Sequence, residues 1–137
     1  GNEIIDQIEV ECQKRALATF KLNPEEWGAN VQSLSGNCAI QAIFTALLQL
    51  GDTIMGLHRS NGGYHKFGHP MKEGTYAFAD MFYKSAPYYV KDESGEIDYE
   101  RMKKDAAENN VKLIACGMSA HPRDVDYKKL REVADSV

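Results

Sequence analysis

Two short apolar runs, "TIMGL" at Thr53 to Leu57 and "VKLIACG" at Val111 to Gly117, most narrow what this chain can become. Each is nearly continuous instead of alternating, the pattern of a strand covered on both faces, as in a parallel sheet. Each also follows a helical pattern. Cys38 to Leu50 is apolar and ends at Gly51, and Asp98 caps a pattern that runs to about Asn109. Three further elements complete the reading. Asn2 to Phe20 is a helix with Ile5, Ile8, Cys12, Ala16 and Phe20 on one face, Ala29 to Gln32 is a short strand, and Val125 to Ser136 is a final helix. "NPEEW" gives a helical turn, and Phe82 to Val90 is extended, with Pro87 marking an edge or a bend. The order helix, strand, helix, strand, strand, helix, strand, helix predicts an α/β fold with a largely parallel sheet.

Composition limits the function classes. At 137 residues the chain is one domain long. Its net charge of −4 comes without a basic stripe, which argues against nucleic acid as a main partner. No run approaches the ~20 apolar residues that span a bilayer, and no signal-peptide pattern opens the sequence, so no membrane partner is expected. Cys12, Cys38 and Cys116 are odd in number and set in apolar contexts. They read as reduced core thiols of an intracellular protein, with a reactive role for Cys38 as the lesser alternative.

Parallel sheets take ligands beyond the carboxyl ends of their strands, which singles out three loops. In "SGNCAIQAIF", Ser35, Gly36 and Asn37 precede an apolar helix whose first amides are free to hold an anion, phosphate above all. Plain N-capping by Ser35 or Asn37 explains the same residues without a ligand, and is the first reading of the segment alone. The second loop, His58 to Pro70, carries His58, His65 and His69 around Gly62 and Gly63. No carboxylate or thiolate recurs there at ligand spacing, so these are read as surface-loop histidines and no metal is expected. The third, "GMSAHPRD", offers Ser119, His121 and Arg123, of which Arg123 is either an anion binder or a surface partner of Asp124.

Together these segments resemble serine hydroxymethyltransferase, over essentially the whole chain. The resemblance is carried by "GNEIIDQIEVECQKRAL", "WGANVQSLSG", "TALL", "DTIMGL", the Gly62–Gly63 pair, "GEIDYE", "KLIACG" and "SAHPRDVDYKKLREVADS" in one order. It implies pyridoxal phosphate as cofactor, serine, glycine and tetrahydrofolate as substrates of one-carbon metabolism, and the aspartate-aminotransferase fold type. Residues 1–137 are then expected to be the N-terminal part of the cofactor-binding large domain, a three-layer α/β/α arrangement, without the small C-terminal domain. By the same resemblance Ser35, Gly36 and Asn37 grip the cofactor phosphate, Tyr64 faces its ring, and Ser119 lies near its phenolic oxygen. Arg59, Gly62, Gly63 and His65 fall in the folate region.

The departures from the family pattern are specific. Asn37 stands for a serine, Ile40 for an asparagine, Tyr64 for the ring-stacking histidine and Phe67 for a second histidine. Arg59 and His65 stand for folate-contacting leucines, and His121 for a tyrosine. No lysine here lies in the family's Schiff-base motif, so no catalytic residue is assigned and the chain alone is expected to be inactive. The expected partners are a second copy or another chain that completes the domain, in cytoplasm or mitochondrion. A catalytically silent relative with a structural or regulatory role is the main alternative, and a folate-independent aldolase on β-hydroxy amino acids is a third.

Overall fold

The computed structural model describes residues 2–67 and 78–137. It is α/β and divides into two compact units, Gly1–Ala42 and Ile43–Val137, with the boundary inside a helix. His69 lies outside the described residues.

The first unit holds α1 (Glu3–Thr19) and the start of α2 (Gly36–Leu47). Asn2 leaves the first turn of α1 uncapped by a side chain, while Glu3 and Asp6 complement the amino-terminal dipole. The apolar stripe read from the sequence is present but buries nothing: Ile5 and Ile8 are more than half exposed, as is Phe20 beyond the last turn. A single helical turn follows at Pro24, closed by the Trp27 amide on the Asn23 carbonyl at 3.0 Å. The strand expected at Ala29 to Gln32 does not form. The Asn30 side chain accepts the Gln32 amide at 3.0 Å, a local bond that takes up an amide a strand ladder would need.

The second unit is built on a three-stranded parallel sheet of β1 (Thr53–Met55), β2 (Lys84–Ser85) and β3 (Val111–Ile114), in the order β2-β1-β3. β1 is therefore central, and its residues are all buried, as its unbroken apolar pattern requires. β2 is an edge of only two residues. The Phe82 to Val90 segment keeps an extended course beyond it through the Leu57–Tyr88 bridge, and Pro87 falls in that interrupted stretch. β3 forms the other edge.

α3 (Tyr99–Glu108) and α4 (Tyr127–Asp135) are fixed by their first residues. Asp98 accepts the Arg101 amide at 3.1 Å and Asp126 accepts the Lys129 amide at 3.0 Å. α4 thus starts two residues later than the apolar spacing suggests, because Asp126 supplies the cap. Met102 and Ala106 on α3, and Leu130 and Val133 on α4, meet Met55, Leu57, Ala86, Tyr88 and Ile97 in one core. Burial of each larger side chain there contributes about 1.5–3 kcal/mol. The Asp126 amide also donates to the Tyr99 phenol oxygen at 3.0 Å, joining the starts of both helices.

All three cysteines are exposed, which corrects the core-thiol reading. Cys12 faces outward on α1 and Cys38 lies in the first turn of α2. Partial loss of water around Cys116 still raises its thiol above the ordinary range, so it stays protonated near neutral pH. Among the described residues no helix is long and apolar enough to cross a membrane, and no three His, Cys, Asp or Glu side chains gather as metal ligands.

Candidate functional site

Two of the three loops meet at the carboxyl ends of β1 and β3, and backbone contacts join them. After Leu57 the His58 amide donates to the Tyr88 carbonyl at 2.8 Å. The His58 carbonyl then accepts the Asn61 amide at 3.0 Å and the Gly63 amide at 3.1 Å, closing a turn at Arg59–Asn61. The Gly62 carbonyl accepts the Ser119 and Ala120 amides at 2.9 and 3.0 Å, and Gly63 bridges Met118 in antiparallel sense.

This junction explains the glycine pair. Gly62 has φ +90°, and a Cβ there would lie 2.5 Å from the His121 nitrogen. A Cβ at Gly63 would collide with the Leu57 carbonyl oxygen. No larger residue fits either position without moving main chain.

A second contact closes the other end of the loop. Phe67 is buried and lies between Gly56, just past β1, and Gly117, past β3: a Cβ on Gly56 would come within 2.7 Å of the Phe67 Cβ. The Phe44 ring is 6.5 Å away and the Tyr64 ring meets Phe67 edge-on at 5.3 Å. Tyr64 also packs against His65 at 5.0 Å. Tyr64 and His65 are half-buried, whereas Arg59 and Ser119 are exposed. The loop histidines are less superficial than the sequence suggests. His58, His65 and His121 are all half-buried, and His58 stacks on Tyr89 at 5.0 Å.

Tyr88 ties the strand ends together. Its main chain pairs with Gly56 and His58, and its hydroxyl reaches the Ala115 carbonyl at 3.4 Å, from one edge of the sheet past the central strand to the other. Burial, with Cys116 and Tyr99 nearby, raises its phenol far above the ordinary value of 10. The sequence reading passed over Tyr88, Tyr89 and Gly56. An aromatic pair following an edge strand was the available signal for the first two.

Arg123 is not gathered to the glycine loop. It lines a surface cleft of about 370 Å³ with Lys91 and Lys129, opposite Glu96, Asp124 and Asp126. Three cations against three carboxylates leave that cleft without net attraction for an anion.

The remaining loop belongs to the first unit. The Ser35 hydroxyl accepts the Cys38 amide at 3.4 Å and the Ser35 carbonyl accepts the Ala39 amide at 3.1 Å, so Ser35 does cap α2. The cap uses one of the helix's first amides. Residues 33–38 are exposed, and nothing approaches within 4 Å of the space a Gly36 Cβ would take, so an anion has access to the helix start.

Comparison with known proteins gives one consistent answer. The family model "Serine hydroxymethyltransferase" matches residues 1–137. Serine hydroxymethyltransferase 3, chloroplastic, of Arabidopsis thaliana is 43% identical over the whole chain, which covers 26% of that protein. The cytosolic serine hydroxymethyltransferase of Eremothecium gossypii is 40% identical with 29% covered. The putative mitochondrial serine hydroxymethyltransferase of Neurospora crassa is 40% identical with 25% covered. The chain thus spans a little over a quarter of the length of these relatives.

Proposed function

Because this chain belongs to the serine hydroxymethyltransferase family, we propose that it supplies the N-terminal part of a large domain that holds pyridoxal phosphate for interconverting serine and glycine with tetrahydrofolate. The observation that carries this reading is the fixed junction of Gly62–Gly63 with Ser119 at the carboxyl ends of parallel strands, where such sheets take ligands. The residues fit the phosphate end of the cofactor: Ser35, Gly36 and Asn37 present an exposed helix start with Gly36 open to close approach. Tyr64 offers an aromatic face, Ser119 an exposed hydroxyl, and Arg59 and His65 line the proposed folate side. When bound, pyridoxal phosphate supplies the electron sink for the reaction. The residues here bind and orient, and the sequence has no lysine in the family's Schiff-base motif.

Titration of the chain with inorganic phosphate and with pyridoxal phosphate tests this. The Gly36, Asn37 and Cys38 amide resonances should move. Ser35→Asp, which keeps a cap but adds a negative charge, should abolish the shift while α2 stays folded. Unmoved amides at millimolar phosphate would reduce the segment to a cap. Borohydride treatment should leave no stoichiometric pyridoxyl group on one lysine. Finding one by mass spectrometry would overturn the expected inactivity.

A catalytically silent role is the second reading. It is favoured by Phe67, which takes a polar family position and spends its ring on packing between Gly56 and Gly117, and by charged Arg59 where apolar contact is the family pattern. For assembly, β3 supports pairing with a further strand, from a second copy or a completing chain, since an edge strand presents unpaired amides. Sedimentation velocity should show self-association. A monomer that unfolds cooperatively would refute this.

A further inference from the structure

We propose that Asn61–Gly62 is a spontaneous deamidation site that the closed glycine turn keeps silent, and that its conversion stops the turn from closing again. It is the one Asn-Gly pair in the sequence. Glycine has no side chain to shield its main-chain nitrogen, so that nitrogen can approach the preceding side-chain amide. Once it has lost its proton to base, the Gly62 nitrogen attacks Asn61 Cγ, and the Cγ–Nδ2 bond breaks with ammonia as the leaving group. The cyclic imide then takes up water. Hydrolysis at Cγ leaves aspartate. Hydrolysis at the main-chain carbonyl leaves isoaspartate, in which the chain runs through the former side chain.

The closed turn opposes the first step twice. The hydrogen that must leave is engaged, since the Gly62 amide donates to the Arg59 carbonyl at 3.0 Å. Ring closure also needs a large rotation about the Asn61 Cα–C bond. On one side the Asn61 amide is tied to the His58 carbonyl at 3.0 Å, and on the other the Gly62 carbonyl holds the Ser119 and Ala120 amides. Gly62 sits at φ +90° with the main chain of Ala120 and His121 against it, which leaves little room to turn.

The consequence of conversion follows from the side chain. Among the described residues, Asn61 Oδ1 is buried without a hydrogen-bond partner. A neutral amide oxygen bears that position at a modest cost, whereas a carboxylate brings a full charge to a place that offers it no donor. Isoaspartate instead adds a backbone atom between the two amides that share the His58 carbonyl, those of Asn61 and Gly63, and so breaks their register. Opening of the turn is thus followed by a change that prevents its reclosure, and the Gly62 to Ser119 junction is lost with it.

Peptide mass spectrometry of the whole chain, incubated at pH 8 with and without unfolding urea, tests the protection. The peptide that bears Asn61 should convert at least about tenfold faster in urea, because in the folded chain the turn must open first. Equal rates in the two conditions overturn the proposal. Asn61→Asp, the product made directly, tests the consequence. Amide exchange at Ser119 and Ala120 should speed up about tenfold, while the Ala115 amide, bonded to Met55 in the sheet, keeps its protection. Unchanged Ser119 exchange overturns the proposal. Should the variant fold poorly, the aged wild-type chain decides: its converted fraction, separated by charge, must exchange faster at Ser119 than the unconverted one, and identical exchange refutes the link.

Discussion

The two candidate ligand regions are held in opposite ways. At the glycine loop the main chain does the holding. Carbonyls of His58 and Gly62 each receive two amides, and two glycines exist because the backbone leaves no room for a Cβ. At the start of α2 a single serine hydroxyl caps the helix through a long 3.4 Å bond, and Gly36 has open space around it. The first region tolerates almost no change in its backbone, yet its exposed side chains are free to vary. In the second, as proposed above, the helix amides are the binding groups and the side chains tune access. Of the loop residues named from resemblance, Arg59 is exposed and alters only surface chemistry on this frame. Tyr64 and His65 are half-buried and pack on each other, Tyr64 also on Phe67.

The strongest way to break this contrast is Gly63→Ala. Its Cβ collides with the Leu57 carbonyl, and relief requires moving β1's exit, so a loss above about 4 kcal/mol is expected by denaturant titration. A loss below 1 kcal/mol would mean that the loop is softer than its bonds imply.

Next is Phe67→Ala, expected to cost about 3 kcal/mol through lost burial and a residual cavity. Gly56→Ala alone should cost about 1–3 kcal/mol by overpacking, and much less when Phe67 is already Ala. Simple additivity in that double-mutant cycle would show that the two residues do not share one slot.

Tyr88 gives a smaller effect with a defined sign. Its phenol is raised above 10 by burial, so folding favours the protonated form. That contribution is complete below the unfolded value of 10 and is lost as pH climbs beyond it. Tyr88→Phe should therefore unfold less steeply in alkali, while losing about 1 kcal/mol at neutral pH for its hydroxyl bond. Tyr99, also raised by burial, remains to titrate in the variant.

The smallest expected effect is Ser35→Ala. One exposed, long cap bond predicts a loss of at most about 1 kcal/mol, with the Gly62 to Ser119 bonds unmoved in amide exchange. A large effect would mean that Ser35 organises more of the first unit than its own helix.

What the sequence made legible follows from how local each cause is. Asp98 announces α3 because a cap needs only the next three residues. Gly51 misplaced the end of α2, which runs Gly36–Leu47 and stops four residues before it, while the Gly51 amide donates to the Phe82 carbonyl at 2.8 Å. The strand at Thr53 was readable because burial on both faces leaves Thr53 as its one polar residue. The strand at Val111 kept an apolar run although it is an edge, half-buried with Lys112 exposed. Ala29 to Gln32 misled, since a strand needs a neighbour and Asn30 bonded locally instead. The helix at Glu3–Thr19 was legible from its spacing, although none of its residues is buried. At the site, the glycine pair was visible as a turn. Its attachment to Ser119 joins positions 57 residues apart and leaves no trace in spacing. The Ser35 cap was legible from three residues, whereas the binding roles of Ser35, Tyr64 and Ser119 came from resemblance alone.

The slot that Gly56 and Gly117 leave for Phe67 carries a consequence for how this chain can change over generations. Three positions, in three separate stretches, divide one fixed volume among them. A residue with a side chain at 56 is admissible only after 67 has shrunk, and a smaller residue at 67 leaves a void until a neighbour grows into it. Substitutions here are thus ordered in time, small before large, and a lineage that begins with the wrong step meets a destabilised intermediate. The same volume limits design: a polar ring returned to position 67 would have to find a hydrogen-bond partner within the slot or leave it.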